Sequence, residues 1–460
     1  MKAKKSVFLV ICFILFAATV IGCAGTKTNT NDNAANQNAG NNNTAAPGNN
    51  GDANTGEEVN IKFAGWGDPS EKKVFNQLIA DFETKYPTIK VEYLHMPADY
   101  VGKMNTMLAG GTAPDVLYVP DGDFGRWVSA GLLLSIDSYV EASDIDTADM
   151  WDSALTRYSF DGVKTGAGEL YALPKDIGPI VLYYNKVLFD AANVPYPSAE
   201  NPMTFDELLE TAQKLTIDEN GDGKPEQYGM GPAWWEGWIW GNGGDIISED
   251  RTEFLMHEKA AVDAMQFAAD LRNKYKVTPD SRALQAMNDG QMFETGKLAM
   301  MEQGRWMVPT YRNLDFDWDV APKPTNGKWD GHSGSVGLGI YSKTKNADAA
   351  YKLVEYLGGP EGQRLQSEMG FAIPSFKSMA NTDVFLQPGQ KPEHAEVFIK
   401  AAEAQKAGPW TYLPNAKWWD TLNQNLAQLW DGRKTAEQLF IELKPEIDKA
   451  IKEGNPKLFE

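Results

Sequence analysis

From residue 59 onwards the chain switches between two hydrophobic periods. Val59 to Ala64 is a short apolar run of strand type. Asp68-Pro69-Ser70-Glu71 then supplies an N-cap, a proline at the first helical position and a reciprocal acid three residues after the cap. Val74, Phe75, Leu78, Ile79 and Phe82 follow at helical spacing until Pro87 ends the pattern. Ile89, Val91 and Tyr93 alternate as a second strand, and a helix over Tyr100–Leu108 leads through Gly110-Gly111 to a third, Asp115–Val119. Strand–helix–strand–helix–strand needs crossover connections, so the pattern predicts parallel pairing in a layered α/β fold. The later half carries more helix. Thr204-Phe205-Asp206-Glu207 is a capping box opening a helix to Leu215, and helical patterns cover 258–275, 346–357, 360–369, 415–430 and 435–452. Short strands fit Ile180–Tyr184, Leu298–Met301, Trp318–Ala321 and Gly337–Tyr341, and no repeat of solenoid length is visible.

The first 58 residues follow another logic. Lys2, Lys4 and Lys5 precede an almost unbroken apolar run from Val7 to Val20, the pattern of an export signal. An uncleaved membrane anchor needs about 20 apolar residues, so that alternative is a tight fit. Residues 24–58 contain no Val, Ile, Leu, Met or aromatic side chain, and 11 of the 36 residues from Cys23 to Glu58 are asparagine. Such a stretch buries too little apolar surface to offset its ordering entropy. It reads as a disordered tether spanning roughly 30–36 Å root-mean-square.

Composition narrows the function. The 460 residues carry 43 basic and 63 acidic side chains, a net charge of -20, which repels phosphate backbones and excludes nucleic acid as a partner. Two cysteines exclude a disulfide scaffold, and the four histidines show no metal-ligand spacing. Residues 59–460 suffice for two domains. The 14 tryptophans are the oddity. Trp234, Trp235, Trp238 and Trp240 fall within seven residues, at spacings that one amphipathic stripe cannot bury. A pyranose has an apolar C–H face, and an indole offers it a flat platform; the competing reading is core packing, which accounts for most of the fourteen. Asp218-Glu219-Asn220-Gly221-Asp222-Gly223-Lys224-Pro225-Glu226 places oxygen ligands as an EF-hand loop does: Asp218, Asn220, Asp222, the Lys224 carbonyl and Glu226, with glycine at the sixth position. Position 12 is Gly229 instead of a bidentate glutamate. The expectation is a structural calcium ion, against an acidic surface turn; no organic cofactor is expected.

Several segments together resemble a known family. Val20-Ile21-Gly22-Cys23 is similar to the bacterial lipobox. Thr112-Ala113-Pro114-Asp115-Val116-Leu117-Tyr118 with Ala130–Asp137, Tyr171-Ala172-Leu173-Pro174 through Leu182–Lys186, Gly296–Met300 ending in Gly304-Arg305-Trp306, and Phe371–Ser375 resemble the extracellular solute-binding proteins of family 1. These are the sugar-capturing subunits of bacterial ATP-driven importers. None of these segments is specific alone; their order along nearly the whole mature chain carries the likeness.

The resemblance implies a two-lobed periplasmic-binding-protein-like α/β fold with a ligand cleft between discontinuous lobes. It implies a signal peptide over 1–22, a lipidated Cys23, a tether over 23–58, one lobe from 59–176 and 333–376, and another from 177–332 and 377–460. Chain crossings are expected near Asp176–Pro179, Pro322–Ser333 and Lys377. The implied partners are a carbohydrate, the permease subunits of an ABC transporter and, through Cys23, the outer face of the cytoplasmic membrane, with the protein acting as a monomer.

On the same basis the cleft is expected to hold Trp66 and Asp68 after the first strand, Asp121 and Asp123 after the third, Asp176 at the hinge, and Trp306 as a stacking ring. Arg305 would pair with a uronic carboxylate or a neighbouring Asp, and Ser335 would present backbone N–H groups. One of Trp410, Trp418 and Trp419 supplies the last aromatic, and one or two of Trp234, Trp235 and Trp238 touch ligand. Strand carboxyl ends in open α/β sheets are where ligands bind, and carboxylates there accept sugar hydroxyls. A surface-anchored glycosidase or lyase suits the same residue types, and an adhesive lipoprotein is a third reading. A Gly-x-Ser-x-Gly elbow is not met at Gly331-His332-Ser333-Gly334-Ser335, where glycine falls fourth.

Overall fold

A computed structural model describes residues 57–328 and 331–460. The expected signal peptide, Cys23 and all of the tether except its last two residues lie outside the described residues.

The opening pattern folds as its periods dictate. β1 (Val59–Gly65), β2 (Ile89–His95) and β3 (Val116–Pro120) pair in parallel, with α1 (Pro69–Lys85) and α2 (Tyr100–Ala109) as crossovers. Val74, Phe75, Leu78, Ile79 and Phe82 are the buried stripe of α1, and Asp68 caps it by accepting the Glu71 N–H at 2.8 Å. The expected reciprocal bond from Glu71 is not made. Its side chain is buried and turns inward to Tyr118 and Lys175, because a cation and a hydroxyl inside the fold outcompete an exposed cap N–H. Two strands from elsewhere complete this sheet: Val336–Ile340 lies antiparallel to β3, and Ala172–Pro174 lies antiparallel to Val336–Ile340, giving five strands.

A second sheet has four strands in the order Trp318–Ala321, Val181–Asn185, Leu298–Gln303 and Tyr228–Met230. The helices Phe205–Leu215, Lys259–Asn273, Lys417–Trp430 and Ala436–Gly454 bury apolar faces in one core beside it, and Val181, Tyr183, Trp318 and Phe398 belong to another. Thr204 and Glu207 form the reciprocal capping box. Between the large sheets lies a ribbon of three short strands, Gln405–Ala407, Gly331–Gly334 and Gly178–Pro179. Gly178–Pro179 and Gly331–Gly334 are the passages from one sheet to the other, and a bridge from Ile177 to Ile373 sets the third passage beside them. The chain on both sides of Gln405–Ala407 packs with the second sheet. This arrangement brings strand ends of both sheets to one cleft.

Candidate functional site

At the strand ends of the first sheet, the loop after β1 carries Trp66 and Asp68, and α3 (Asp121–Ser129) begins directly after β3 with Asp121 and Asp123. The Trp66 ring stands edge-on to Tyr100 and Tyr118, 4.9 Å from each. A cavity of about 360 Å³ opens here, lined by Trp66, Asp68, Glu71, Lys175 and Asp176 from one side and by Trp306 and Met307 from the other, with Gly178 and Ser335 from the connecting ribbon region. Thr310 closes the rim by donating to Asp68 at 3.2 Å.

The floor of this cavity is a buried charge cluster. Lys175 is 2% exposed and donates to Asp176 at 2.5 Å, with Glu71 at 3.5 Å. The rings of Phe371, Tyr118 and Phe75 surround the ammonium at 5.0, 5.3 and 5.6 Å. Burial pushes the Glu71 carboxyl up to about 7; Lys175 opposes this, and Asp176 adds to it. Asp176 is fixed on its other oxygen by the Val336 N–H at 3.2 Å, while the Ser335 hydroxyl donates to the Asp176 carbonyl at 2.9 Å.

A row of indoles runs from this cavity towards a second one. Trp306 lies 6.3 Å from Trp234, Trp235 stacks on Trp419 at 5.6 Å and 22°, and Trp419 lies 5.1 Å from Trp410. The second cavity, of about 810 Å³, is bounded by Gly122, Asp123 and Arg126 of α3 and by Trp410, Lys417, Trp419 and Asp420 facing them. Asp123 pairs with Arg126, and burial raises its carboxyl from the ordinary value. Asp121 has partners on both oxygens, Arg157 at 2.9 Å and the Trp410 indole N–H at 3.0 Å.

Two of these rings are seated on glycine. Gly304-Arg305-Trp306 and Gly408-Pro409-Trp410 each open a single turn of 3₁₀ helix, and each tryptophan folds back over its own glycine. A Cβ on Gly304 would stand 2.0 Å from the Trp306 ring, and one on Gly408 2.1 Å from the Trp410 ring. Gly178 and Gly122 approach the same two rings from elsewhere in the chain, where a Cβ would come within 2.9 and 3.0 Å.

Half-buried flat rings lining a cleft between two sheets, with carboxylates at strand ends, describe a binding cleft. The family model for the bacterial extracellular solute-binding proteins matches residues 66–364. The chain belongs to that family. It is a binding protein, extracytoplasmic by family, and no described helix is long and apolar enough to cross a membrane. The maltotriose-binding protein of Pyrococcus abyssi is 25% identical over 352 residues, 72% of this chain and 71% of its own. The galactooligosaccharide-binding protein of Bacillus subtilis is 24% identical over 335 residues, 70% and 74% of the two chains. The ABC substrate-binding protein of Listeria monocytogenes solved with cycloalternan superposes with a TM-score of 0.78 at 24% identity, covering 86% of this chain and 99% of its own. The fold is accordingly the two-lobed α/β architecture of these proteins, with the cleft between the lobes.

Within this solute-binding protein the expected cleft residues divide. Trp66, Asp68, Asp176, Trp306 and Ser335 line the smaller cavity, and Asp123, Trp410 and Trp419 line the larger. Trp234 joins them through Trp306, and Trp235, 8% exposed, backs Trp419. Asp121 reaches the cleft through Trp410. Two expectations are corrected. Trp238 is fully buried, donating its indole N–H to Glu302 and packing on Phe205, so it belongs to the core. Arg305 is 1% exposed between the rings of Phe385 and Phe398, and burial pulls its guanidinium down to about 9. Trp306 swings to the cleft and its neighbour therefore points into the core, so Arg305 pairs with neither a uronic acid nor an Asp. Trp418 is also core.

Sequence reasoning missed Glu71 and Lys175. The visible signal was Lys175 itself, a lysine between Pro174 and Asp176 in a run otherwise destined for burial. In the loop 218–226 the oxygens are turned inward: Asp218 accepts the Gly221 and Gly223 N–H groups, Asp222 accepts that of Lys224, and Glu226 accepts from Glu219 and Asn220. Each carboxylate retains lone pairs, but Asp218, Asp222 and Glu226 do not bring three ligand atoms within 4.8 Å of one another. Among the described residues, the one group of three acids or histidines with ligand atoms within 4.8 Å is elsewhere, at Asp319, Glu393 and His394. Lys186 already neutralises it from 3.1 Å off Glu393 and 3.6 Å off Asp319.

Proposed function

We propose that this solute-binding protein captures a carbohydrate, an oligosaccharide of several rings, by closure of its two lobes, and delivers it to the permease of an ABC transporter. The observation that carries this reading is the row of indoles Trp66, Trp306, Trp234, Trp419 and Trp410 between two cavities that each hold carboxylates. Flat rings take the apolar faces of successive pyranoses, and the cavity carboxylates Asp176 and Asp123, already fixed by Lys175 and Arg126, accept hydrogen bonds from hydroxyls without reorganising. The row is longer than one sugar ring needs. The ligands for which the two relatives are named, maltotriose and a galactooligosaccharide, belong to the same chemical class.

Three finer elements belong to the same proposal. Residues 59–176 with 333–376, and 177–332 with 377–460, act as the two closing lobes of a monomer. The 218–226 loop holds a structural calcium ion through Asp218, Asn220, Asp222, the Lys224 carbonyl and Glu226. Cleavage after residue 22 leaves Cys23 as the lipid anchor, and Cys23→Ala is expected to move the protein from the membrane to the soluble fraction.

Tryptophan fluorescence of the purified protein, titrated with maltotriose, a galactooligosaccharide and a uronic oligosaccharide, tests the function. The expected result is a saturable spectral shift with a neutral oligosaccharide and unchanged sugar afterwards. Saturation by the uronic series alone, or by no sugar, overturns it.

A further inference from the structure

Trp234 occupies the centre of the indole row, yet it sits at the start of a short helix (Trp235–Gly241) with no side-chain cap. Its backbone is held by other means. Glu302, fully buried on the strand Leu298–Gln303, accepts the Trp234 N–H at 2.6 Å on one oxygen and the Trp238 indole N–H at 2.8 Å on the other. Lys323, 2% exposed, donates to the Trp234 carbonyl at 3.0 Å and lies 3.4 Å from Glu302. The two ends of one buried ion pair therefore grip both backbone polar groups of a single residue. Neither charged group lines either cavity.

A buried ion pair is a poor way to gain stability, because desolvation offsets much of the attraction; its best use is to fix geometry. Charged groups facing the pair include Glu236 on the same turn, 8% exposed, whose carboxyl burial raises to about 7. We infer that Glu302 and Lys323 are positioning residues that set the Trp234 ring opposite Trp306, and so tune carbohydrate affinity without touching the ligand. This rests on the proposed function for its affinity arm only.

The test is a cycle of Glu302→Gln, Trp234→Phe and their combination in the intact protein, read without ligand by near-ultraviolet circular dichroism of the Trp234–Trp306 pair. With Trp238 replaced by Phe throughout, so that its own bond to Glu302 does not enter the signal, Glu302→Gln should lower by at least half the signal that Trp234→Phe removes, and should change nothing further once Trp234 is also Phe. With maltotriose, Glu302→Gln should raise Kd roughly tenfold, the worth of one charge-assisted bond, and less than about twofold once Trp234 is Phe. Glu302→Gln with Lys323→Met removes both charges together, so it folds even where one change strands a buried charge, and it should reproduce the spectral loss. An unchanged dichroism signal, or the same loss with Trp234 already replaced, overturns the inference. Absence of maltotriose binding by the unaltered protein, with the dichroism cycle as expected, counts against the carbohydrate reading and supports the clamp.

Discussion

The Glu71 carboxyl offers a sharp test of the charge cluster beneath the smaller cavity. Its pKa is raised from 4.5 to about 7, first by burial, against the pull of Lys175. Between these two values the folded protein holds a proton that the unfolded chain has released. Stability therefore falls as pH rises through this window, at up to about 1.36 kcal/mol per pH unit. From pH 5 to 7.5 the single group accounts for about 2 kcal/mol of lost stability by the same linkage. Glu71→Gln cannot release a proton and keeps an acceptor for the Tyr118 hydroxyl, while Asp176 remains to pair Lys175. Urea unfolding followed by tryptophan fluorescence at both pH values reads the difference, because titrations elsewhere are common to both proteins. The variant should gain about 2 kcal/mol relative to the wild type on going from pH 5 to 7.5. A difference constant to within about 0.5 kcal/mol would mean that Glu71 titrates as in the unfolded chain, and the buried-cluster argument would fail.

Other consequences are simpler to state. Gly304→Ala and Gly408→Ala should each displace a platform ring and weaken oligosaccharide binding by roughly tenfold or more, since a Cβ at about 2 Å cannot be accommodated without moving the indole. Gly221→Ala, where the backbone φ is +73° and nothing crowds the added carbon, should leave binding unchanged and lower stability by about 1 kcal/mol in urea titration. If the 218–226 loop holds calcium, millimolar calcium raises the melting temperature of the wild type and not of Asp218→Ala, and chelator reverses it; equal shifts in both proteins refute the site.

The first lobe was largely legible because local rules and the fold agree there: the Asp68 cap, the Pro69 start and the α1 stripe all act within a few residues. The contributions of Val336–Ile340 and Ala172–Pro174 to the same sheet were not legible from periodicity, since a strand's partners two hundred residues away leave no local mark. For the site, aromatic density marked the right region and failed on individual rings. Trp234 and Trp238 differ by one helical turn, and which faces the cleft is decided by Glu302, a residue with no pattern of its own. Arg305 failed for the converse reason: adjacency to a cleft tryptophan says nothing about a side chain that points the opposite way in a 3₁₀ turn.

The cleft contacts also bear on how closure works. At the cleft itself Thr310 donates to Asp68 and Trp410 to Asp121, each bond worth about 1 kcal/mol net, and away from it Arg251 donates to the Thr165 carbonyl while Ser378 binds Asp149. By contrast, the acids and rings within each lobe are locked by buried partners such as Arg157, Lys175 and Lys323. The binding groups of each lobe are thus prepared before a solute arrives. Each cavity is walled from both sides, so a solute in either one meets both walls only when the lobes close and binds the closed form better than the open. One that lies along the indole row contacts Trp66 and Asp176 on one lobe and Trp306 and Trp234 on the other only when the lobes meet. Its differential affinity adds to the cross-cleft bonds, which favour the same closed form. A solute that spans both cavities therefore shifts the equilibrium further than one that fills either alone.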